Sequence, residues 1–490
     1  MSADVVVDPR ASRPWPALWS FVLGFFMILV DSTIVQVATP ALMAELGADV
    51  TSVVWVTSAY LLAYATPLLV TGRLGDRFGP KPGYLVGLVL FTLASLACGL
   101  AGSIELLVAA RVLQGLGAAL MTPQSMALIT RTFPPDGRGA AMGLWGGIAG
   151  VALLVGPILG GILVDGPGWA WIFFVNVPVG VVVLLLVVRY VPRLPLHSRA
   201  FDWPSVVLSS GGMLALVLGV QEGERTGWST WWLIALGALL LVAFVLRQRR
   251  APEPLMPLRL FRDRNFTLGC LAIAAAGVGI TAMGIPVYLY TQTARGLSPT
   301  ESALLTLPMA ALAGVLAPFV GRWLQGRDLR LWSVLGIGLT AASLGGYALC
   351  MRPDVDVLWL LVPSGLMGLA SAFLWGPLAM TATRGLPMDA AGAGSGVYNA
   401  MRQVGAVTGS AAIAALVTAR LAAELGAPPT AELEASLPAG LVAPFSAAMA
   451  QSMLLPIAAL VLAGFAALGF RSPAPTAARP TRTAPAEPRP

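Results

Sequence analysis

Long apolar runs follow one another along most of the chain, separated by short segments that collect the charged residues. A hydrocarbon core about 30 Å thick takes roughly 20 helical residues. Runs of about that length cover residues 17–39, 51–71, 84–103, 106–130, 139–164, 171–191, 204–220, 230–246, 266–290, 300–321, 331–350, 357–380, 392–418 and 447–469, which predicts fourteen membrane-spanning helices. Glycine and proline occur freely inside the runs. Spans of a bundle tolerate them because neighbouring helices and Ser or Thr side chains satisfy the freed backbone groups.

Composition agrees with the pattern. Of 490 residues, 57% are hydrophobic and 11% charged, with a mean hydropathy of +0.80, whereas a soluble domain carries about 25% charged residues. Such a chain cannot cover itself with polar surface, so the expected fold class is an all-α polytopic membrane protein. The net charge of +7 could suggest nucleic acid, but the basic residues alternate from loop to loop. With the N-terminus inside, the outer loops hold only Arg225, Arg295, Arg352 and Arg420, and Arg111 and Arg402 lie within spans. Nearly all other Lys and Arg then face inward, which predicts both termini in the cytoplasm and no nucleic-acid partner. The first run follows Pro14-Trp15-Pro16 and leads into a multi-span body, so it reads as the first span and not as a cleavable signal. Cys98, Cys270 and Cys350 fall within the runs without metal-ligand spacing and read as small packing residues.

A weak internal repeat organises the runs. Gly72-Arg73-Leu74-Gly75-Asp76-Arg77 after the second span has a counterpart in Gly321-Arg322-Trp323-Leu324-Gln325-Gly326-Arg327 after the tenth. Duplicated halves are the usual build of secondary transporters. The expected domains are a cytoplasmic N-terminus (1–16), a six-helix bundle (17–191), an inserted helix pair with a cytoplasmic linker (192–264), a second six-helix bundle (265–471) and a disordered tail (472–490). Residues 247–264 carry six arginines and read as a surface-lying linker suited to anionic lipid. The longest outer loop is expected at about 419–446.

Four stretches carry mechanism. Gly72 through Lys81 reads as a glycine-permitted turn at the cytoplasmic face, with Asp76 available to an arginine or a helix end. In the fourth run, Arg111 stands three residues before Gln114, and a buried arginine is expensive unless it finds acceptors or a cavity. The fifth run has small residues four apart, Gly146 and Gly150, then Gly156-Pro157 and Gly160-Gly161, which let helices approach closely and bend. The first run ends in Asp31-Ser32-Thr33-Ile34-Val35-Gln36, and Asp31 is the only acidic residue away from the ends of any run, Glu301 standing at the very start of the tenth. An intramembrane carboxylate is costly when charged and is suited to taking and releasing a proton.

These motifs resemble those of the major facilitator superfamily, and within it the fourteen-span drug:proton antiporter group, over nearly the whole chain except the tail. The departures are Pro80 where a basic residue is usual, Ala152 and Gln36 in place of glycine and asparagine, and Ala170 in place of a common arginine in Trp169-Ala170-Trp171-Ile172-Phe173-Phe174-Val175-Asn176. The resemblance implies two six-helix bundles plus two inserted helices. It also implies proton coupling at Asp31 and Arg111, a conformational latch of Gly72, Asp76, Arg77 and Lys81, and an antiporter hinge of Gly150, Gly156, Pro157, Gly160 and Gly161. A cargo site is expected among Gln36, Tyr60, Tyr64, Gln114, Trp375, Asn399 and Arg402. No further acid lies away from the ends of the later runs, which leaves neutral, monocationic or anionic cargo open.

The expected activity is export of an amphipathic drug or antibiotic across the cytoplasmic membrane in exchange for protons. Export of a lipid, glycolipid or dedicated metabolite on the same scaffold is the alternative. The expected partners are a small amphipathic substrate, protons and membrane lipids, and the chain is expected to act as a monomer without cofactor or metal. The single histidine, His197, falls in an inner loop, and no His-Glu-x-x-His pair, phosphate-cradling loop or Ser/His/Asp set is present, so an enzyme is not expected.

Overall fold

Among the described residues helices account for the apolar runs, and no strand occurs. The computed structural model describes residues 14–133, 148, 151–152, 155–192, 202–223, 229–251, 254, 256–324, 328–386, 391–426 and 437–471. Gly150, the tail from Ser472 and the side chains of Gly72 and Asp76 lie outside the described residues.

The first half comprises α1 (Pro14–Val37), α2 (Thr39–Leu46), α3 (Val50–Ala65), α4 (Leu68–Phe78), α5 (Pro80–Gly99), α6 (Ile104–Thr132), α7 (Val155–Asp165), α8 (Trp171–Phe174) and α9 (Asn176–Tyr190). Two helices follow, α10 (Trp203–Gly223) and α11 (Trp231–Gln248). The second half comprises α12 (Arg264–Ala282), α13 (Gly284–Leu289), α14 (Pro299–Leu304), α15 (Leu307–Trp323), α16 (Leu329–Cys350), α17 (Leu361–Thr383), α18 (Ala391–Leu425), α19 (Val442–Ser452) and α20 (Leu454–Leu468). Among the described residues twelve helices are long and apolar enough to cross a membrane. Two shorter apolar helices, Val50–Ala65 and Val155–Asp165, stand at the predicted second and fifth spans.

Local chemistry explains the interruptions. Pro67 separates α3 from α4, because it has no N–H to offer the helix. Pro123 lies inside α6 and cannot donate to the Ala119 carbonyl one turn back; the Thr71 hydroxyl donates to that carbonyl instead, at 2.6 Å. Asp49 starts α3 by accepting from the Ser52 N–H at 2.8 Å. The predicted outer loop at 419–446 is partly helix, since α18 runs on to Leu425 and α19 begins at Val442.

Each half packs by close backbone approach. On α18, a Cβ at Gly405 would lie 1.9 Å from the Ala274 carbonyl oxygen of α12, and one at Gly409 would lie 2.6 Å from that of Val278. Small residues four apart thus bring α12 and α18 into direct backbone contact. The pair α10 and α11 packs mainly on itself and touches α18 and α3. The start of α10 and the end of α11 are tied by an ion pair of Arg247 with Asp202 (2.7 Å) and a hydrogen bond from Gln248 to Ser205 (2.7 Å). Partial burial works against the Asp202 charge, but hydrogen bonds from Arg247 and Ser205 outweigh it and hold the carboxyl below its ordinary range. Trp203, Val207, Trp231 and Leu239 on this pair, like Leu100, Leu349 and Phe465 elsewhere, leave more than half of their surface uncovered. That apolar surface suits hydrocarbon and not water.

The two halves meet at the end of the bundle opposite the chain termini. Thr51 pairs with Thr418 at 3.2 Å, and Ser58 with Ser410 at 2.8 Å about two turns deeper, so α3 and α18 run antiparallel. Gln292 donates to the Val37 carbonyl at 3.0 Å, and the Thr300 N–H to Asp165 at 2.9 Å. A Cβ at Gly161 would lie 2.7 Å from the Thr300 Cα.

Candidate functional site

Asp31, in the last third of α1, is buried, as is most of that helix along its length. Arg111 and Gln114 project from the same face of α6, three residues apart, and Asn176 from the first turn of α9. All of them, with Ser95 of α5, are buried. Their hydrogen bonds form one closed set. Arg111 Nη1 donates to Asp31 Oδ2 at 2.5 Å and to Gln114 Oε1 at 2.6 Å. Gln114 Nε2 donates to Asp31 Oδ1 (2.8 Å) and Ser95 Oγ (3.1 Å), and Asn176 Nδ2 donates to the same two oxygens, at 3.0 Å each. Ser95 then passes its own proton to the Phe173 carbonyl at 2.9 Å. The two amides therefore bridge one pair of acceptors from opposite helices.

The arrangement resolves the electrostatic cost of burial. Asp31 Oδ1 takes both amide donors and Oδ2 takes the guanidinium, so the carboxylate charge is solvated by protein groups in place of water. Arg111 Nε also donates to the Val56 carbonyl of α3 at 3.0 Å, and its guanidinium lies 4.0 Å from the centre of the Tyr60 ring. A desolvated cation over an aromatic face gains about 2 kcal/mol. Arg111 Nη2 has no hydrogen-bond partner among the described residues. The guanidinium thus ties α1, α3 and α6 together, and Asn176 adds α9. Among the described residues Oδ2 accepts only the Arg111 bond, so one of its lone-pair directions has no donor.

The glycine-proline segment packs on this part of α1. A Cβ at Gly156 would meet the Thr33 hydroxyl and lie 3.2 Å from the Val30 carbonyl, and one at Gly160 would lie 2.8 Å from Ile34. Only glycine lets α7 approach the Asp31 segment so closely.

The fold, the buried pair and the glycine segment accord with one family, and comparison with known proteins decides it. The model of the Major Facilitator Superfamily matches residues 21–410. The chain belongs to the Major Facilitator Superfamily. Relatives within it include an uncharacterized MFS-type transporter of Mycobacterium tuberculosis, 49% identical over 92% of this chain and 82% of that protein. A tetracenomycin C resistance and export protein of Streptomyces glaucescens is 37% identical over 84% of this chain and 77% of that protein. The multidrug resistance protein Stp of M. tuberculosis is 36% identical over 82% and 76%. Among solved structures, a bacterial homolog of the human lysosomal transporter Spinster, inward-facing, superimposes with a TM-score of 0.66 over 96% of this chain and 100% of that one, at 16% identity, a likeness of fold. The protein is accordingly a multi-pass membrane transporter.

Within this family member the expected site residues separate into groups. Asp31 and Arg111 are brought together. Gln114 and Tyr60, expected on a cargo surface, stand in the buried cluster instead: Gln114 bonds Asp31, and Tyr60 lies under Arg111. Tyr64 donates or accepts at Thr122 (2.9 Å), and Gln36 abuts Gly284 of the other half. Trp375 and Arg402 meet, the guanidinium lying 5.9 Å from the ring centre. Lys81, expected in a latch, donates to the Val191 and Val188 carbonyls at 2.6 and 3.2 Å, capping the end of α9. Arg77 is exposed beside Phe78. Asn176 and Ser95 were not expected at the site. Asn176 opens the Asn-Val-Pro turn of the sixth run, and a lone amide at a span's start is the signal that could have found it.

Proposed function

We propose that the chain is a proton-coupled antiporter that exports amphipathic drug-like or antibiotic molecules across the cytoplasmic membrane by alternating access. The observation that carries this reading is the fully buried Asp31–Arg111 pair, a titratable charge placed where it ties three helices of one half. Relatives that include resistance and export proteins support the direction of transport. Fourteen spans follow if α3 with α4, and α7 with the segment before it, are added to the twelve long apolar helices. The inward bias of Lys and Arg supports both termini in the cytoplasm.

In the proposed cycle the charged form of Asp31 holds Arg111, and with it α1, α3 and α6. A proton arriving on Oδ2 replaces the ion pair with a neutral acid. The guanidinium then keeps Val56, Gln114 and the Tyr60 and Phe173 rings, and the tie to α1 loosens. The proton thus acts on the packing of the first half, not by competing with cargo for the carboxylate. Net transport requires only that the inward and outward forms differ in affinity for proton and cargo. The extended seal at the end opposite the termini supplies the gate that must open for release.

Everted membrane vesicles carrying the protein and energised to an acid interior are expected to accumulate at least one of a panel of cationic and anionic fluorescent amphiphiles. Nigericin, which collapses the pH gradient, is expected to stop that accumulation. Accumulation that continues unchanged with nigericin contradicts proton antiport.

A further inference from the structure

Resting on the export reading above, we propose that Arg402, Tyr398 and Trp375 form the anchoring part of the cargo site, and that the cargo it takes is a flat aromatic amphiphile carrying a negative charge.

The charge balance within the bundle points this way. Asp31 is neutralised by Arg111, and every other described acidic residue stands in the first or last turn of a helix or between helices. Arg402 lies well inside α18 and is only partly buried. It forms no ion pair among the described residues, and its guanidinium makes no hydrogen bond there. Among the described residues the middle of the bundle therefore carries a cation without a counter-ion. Cationic arginine inside a membrane protein is expensive unless an acceptor meets it.

Two neighbouring groups suit a ligand. The Tyr398 hydroxyl, one turn before Arg402 on the same face of α18, is buried and has no hydrogen-bond partner. A buried phenol left without a partner loses the full value of its hydration, which a ligand oxygen restores. The Trp375 ring of α17 stands beside the guanidinium and offers an aromatic face. Ala400, Ala406 and Val407, which flank Arg402 on α18, pack in one apolar cluster with Tyr60 and Tyr64 of α3 in the other half. Arg402 therefore sits where the halves meet, about two turns below the Ser58–Ser410 contact. An anionic oxygen here would take charge-assisted hydrogen bonds from Arg402 and one from Tyr398, while a flat ring stacks on Trp375. A cation would meet like charge. The competing account is that Arg402 only packs on Trp375 as a structural cation–π pair.

Two dyes on one ring system separate these accounts: carboxyfluorescein, an anionic xanthene, and rhodamine 123, a cationic one. Binding of each to the purified full-length protein is read by fluorescence anisotropy, with a thermal melt to confirm folding. The wild type is expected to bind carboxyfluorescein at least tenfold more tightly than rhodamine 123. Arg402→Gln is expected to lose tenfold or more for the anion and less than twofold for the cation, and Arg402→Lys to fall between. Tyr398→Phe removes one oxygen, keeps the fold, and is expected to lose several-fold for the anion alone; it carries the test if Arg402→Gln does not fold. Preference for the cation, or anion binding unchanged in both Arg402→Gln and Tyr398→Phe, overturns this inference and leaves export standing. Binding of neither dye overturns this inference together with export of aromatic amphiphiles.

Discussion

Replacing Arg111 with methionine is expected to remove most of the folded protein from the membrane. The substitution keeps the bulk of the side chain but leaves Asp31 with two amide donors and no cation. Breaking a buried ion pair from one side costs about 3–5 kcal/mol, because an uncompensated charge remains. That is a large part of the 5–15 kcal/mol that typically separates folded from unfolded protein. The Val56 carbonyl also loses the Nε donor, and the Tyr60 face its cation. Adding Asp31→Leu removes the orphaned charge, so the double variant Asp31→Leu with Arg111→Met is expected to recover much of the lost thermal stability. Transport should not return with it. Fluorescence-detected size exclusion and a melting curve in detergent read both effects. Equal losses in the single and double variants would show that the pair is held together by packing and not by charge.

Gly405→Val is expected to disrupt the second half to a similar degree for a steric reason. A Cβ there would lie 1.9 Å from the Ala274 carbonyl oxygen, a backbone atom in the middle of α12 that cannot rotate away. Overpacking costs about 1–3 kcal/mol where neighbours can shift, and occasionally more. Here the shift required is that of a whole helix. The separation of α18 from α12 would also displace Arg402, whose carbonyl already lies 2.5 Å from where a Cβ at Gly277 would sit. Gly338 of α16 provides the control, since a Cβ there meets nothing within 4 Å. Gly338→Ala is expected to leave the melting temperature unchanged or raise it slightly, as alanine suits a helix interior better. A Gly405→Val protein that melts like the wild type would contradict the backbone contact.

The helices themselves were legible because length and hydropathy decide them when the solvent is lipid. That Asp31 and Arg111 each needed a partner or a cavity was legible for a related reason, since isolated charges in apolar runs are costly, but that they find each other shows only in the folded chain. Their amide partners were not. Gln114 looks the same in sequence whether it solvates a carboxylate or faces a cargo, and the distinction lies in its contact with Asp31, 83 residues away. Lys81 was hidden in the same manner, since its acceptors at Val188 and Val191 belong to a helix more than a hundred residues on. Hydropathy also ended the thirteenth run too early. The segment from Ala411 to Leu425 remains helical past the apolar stretch because its alanines and leucines favour helix even where Arg420 and Glu424 enter. The break at Pro67 and the replacement of a lost helix bond by Thr71 follow from proline chemistry, but only the folded chain shows which hydroxyl answers.

The central claim is that Asp31 links proton movement to cargo movement. Proteoliposomes with an entrapped pH dye test it most directly, when a cargo gradient is imposed and no pH gradient exists at the start. The wild type is expected to move protons against the cargo flow, and Asp31→Asn, which keeps the shape and most hydrogen bonds, is expected to move none. Proton counter-movement that persists in Asp31→Asn at the wild-type rate, or its absence from a wild type that transports cargo, would contradict the account.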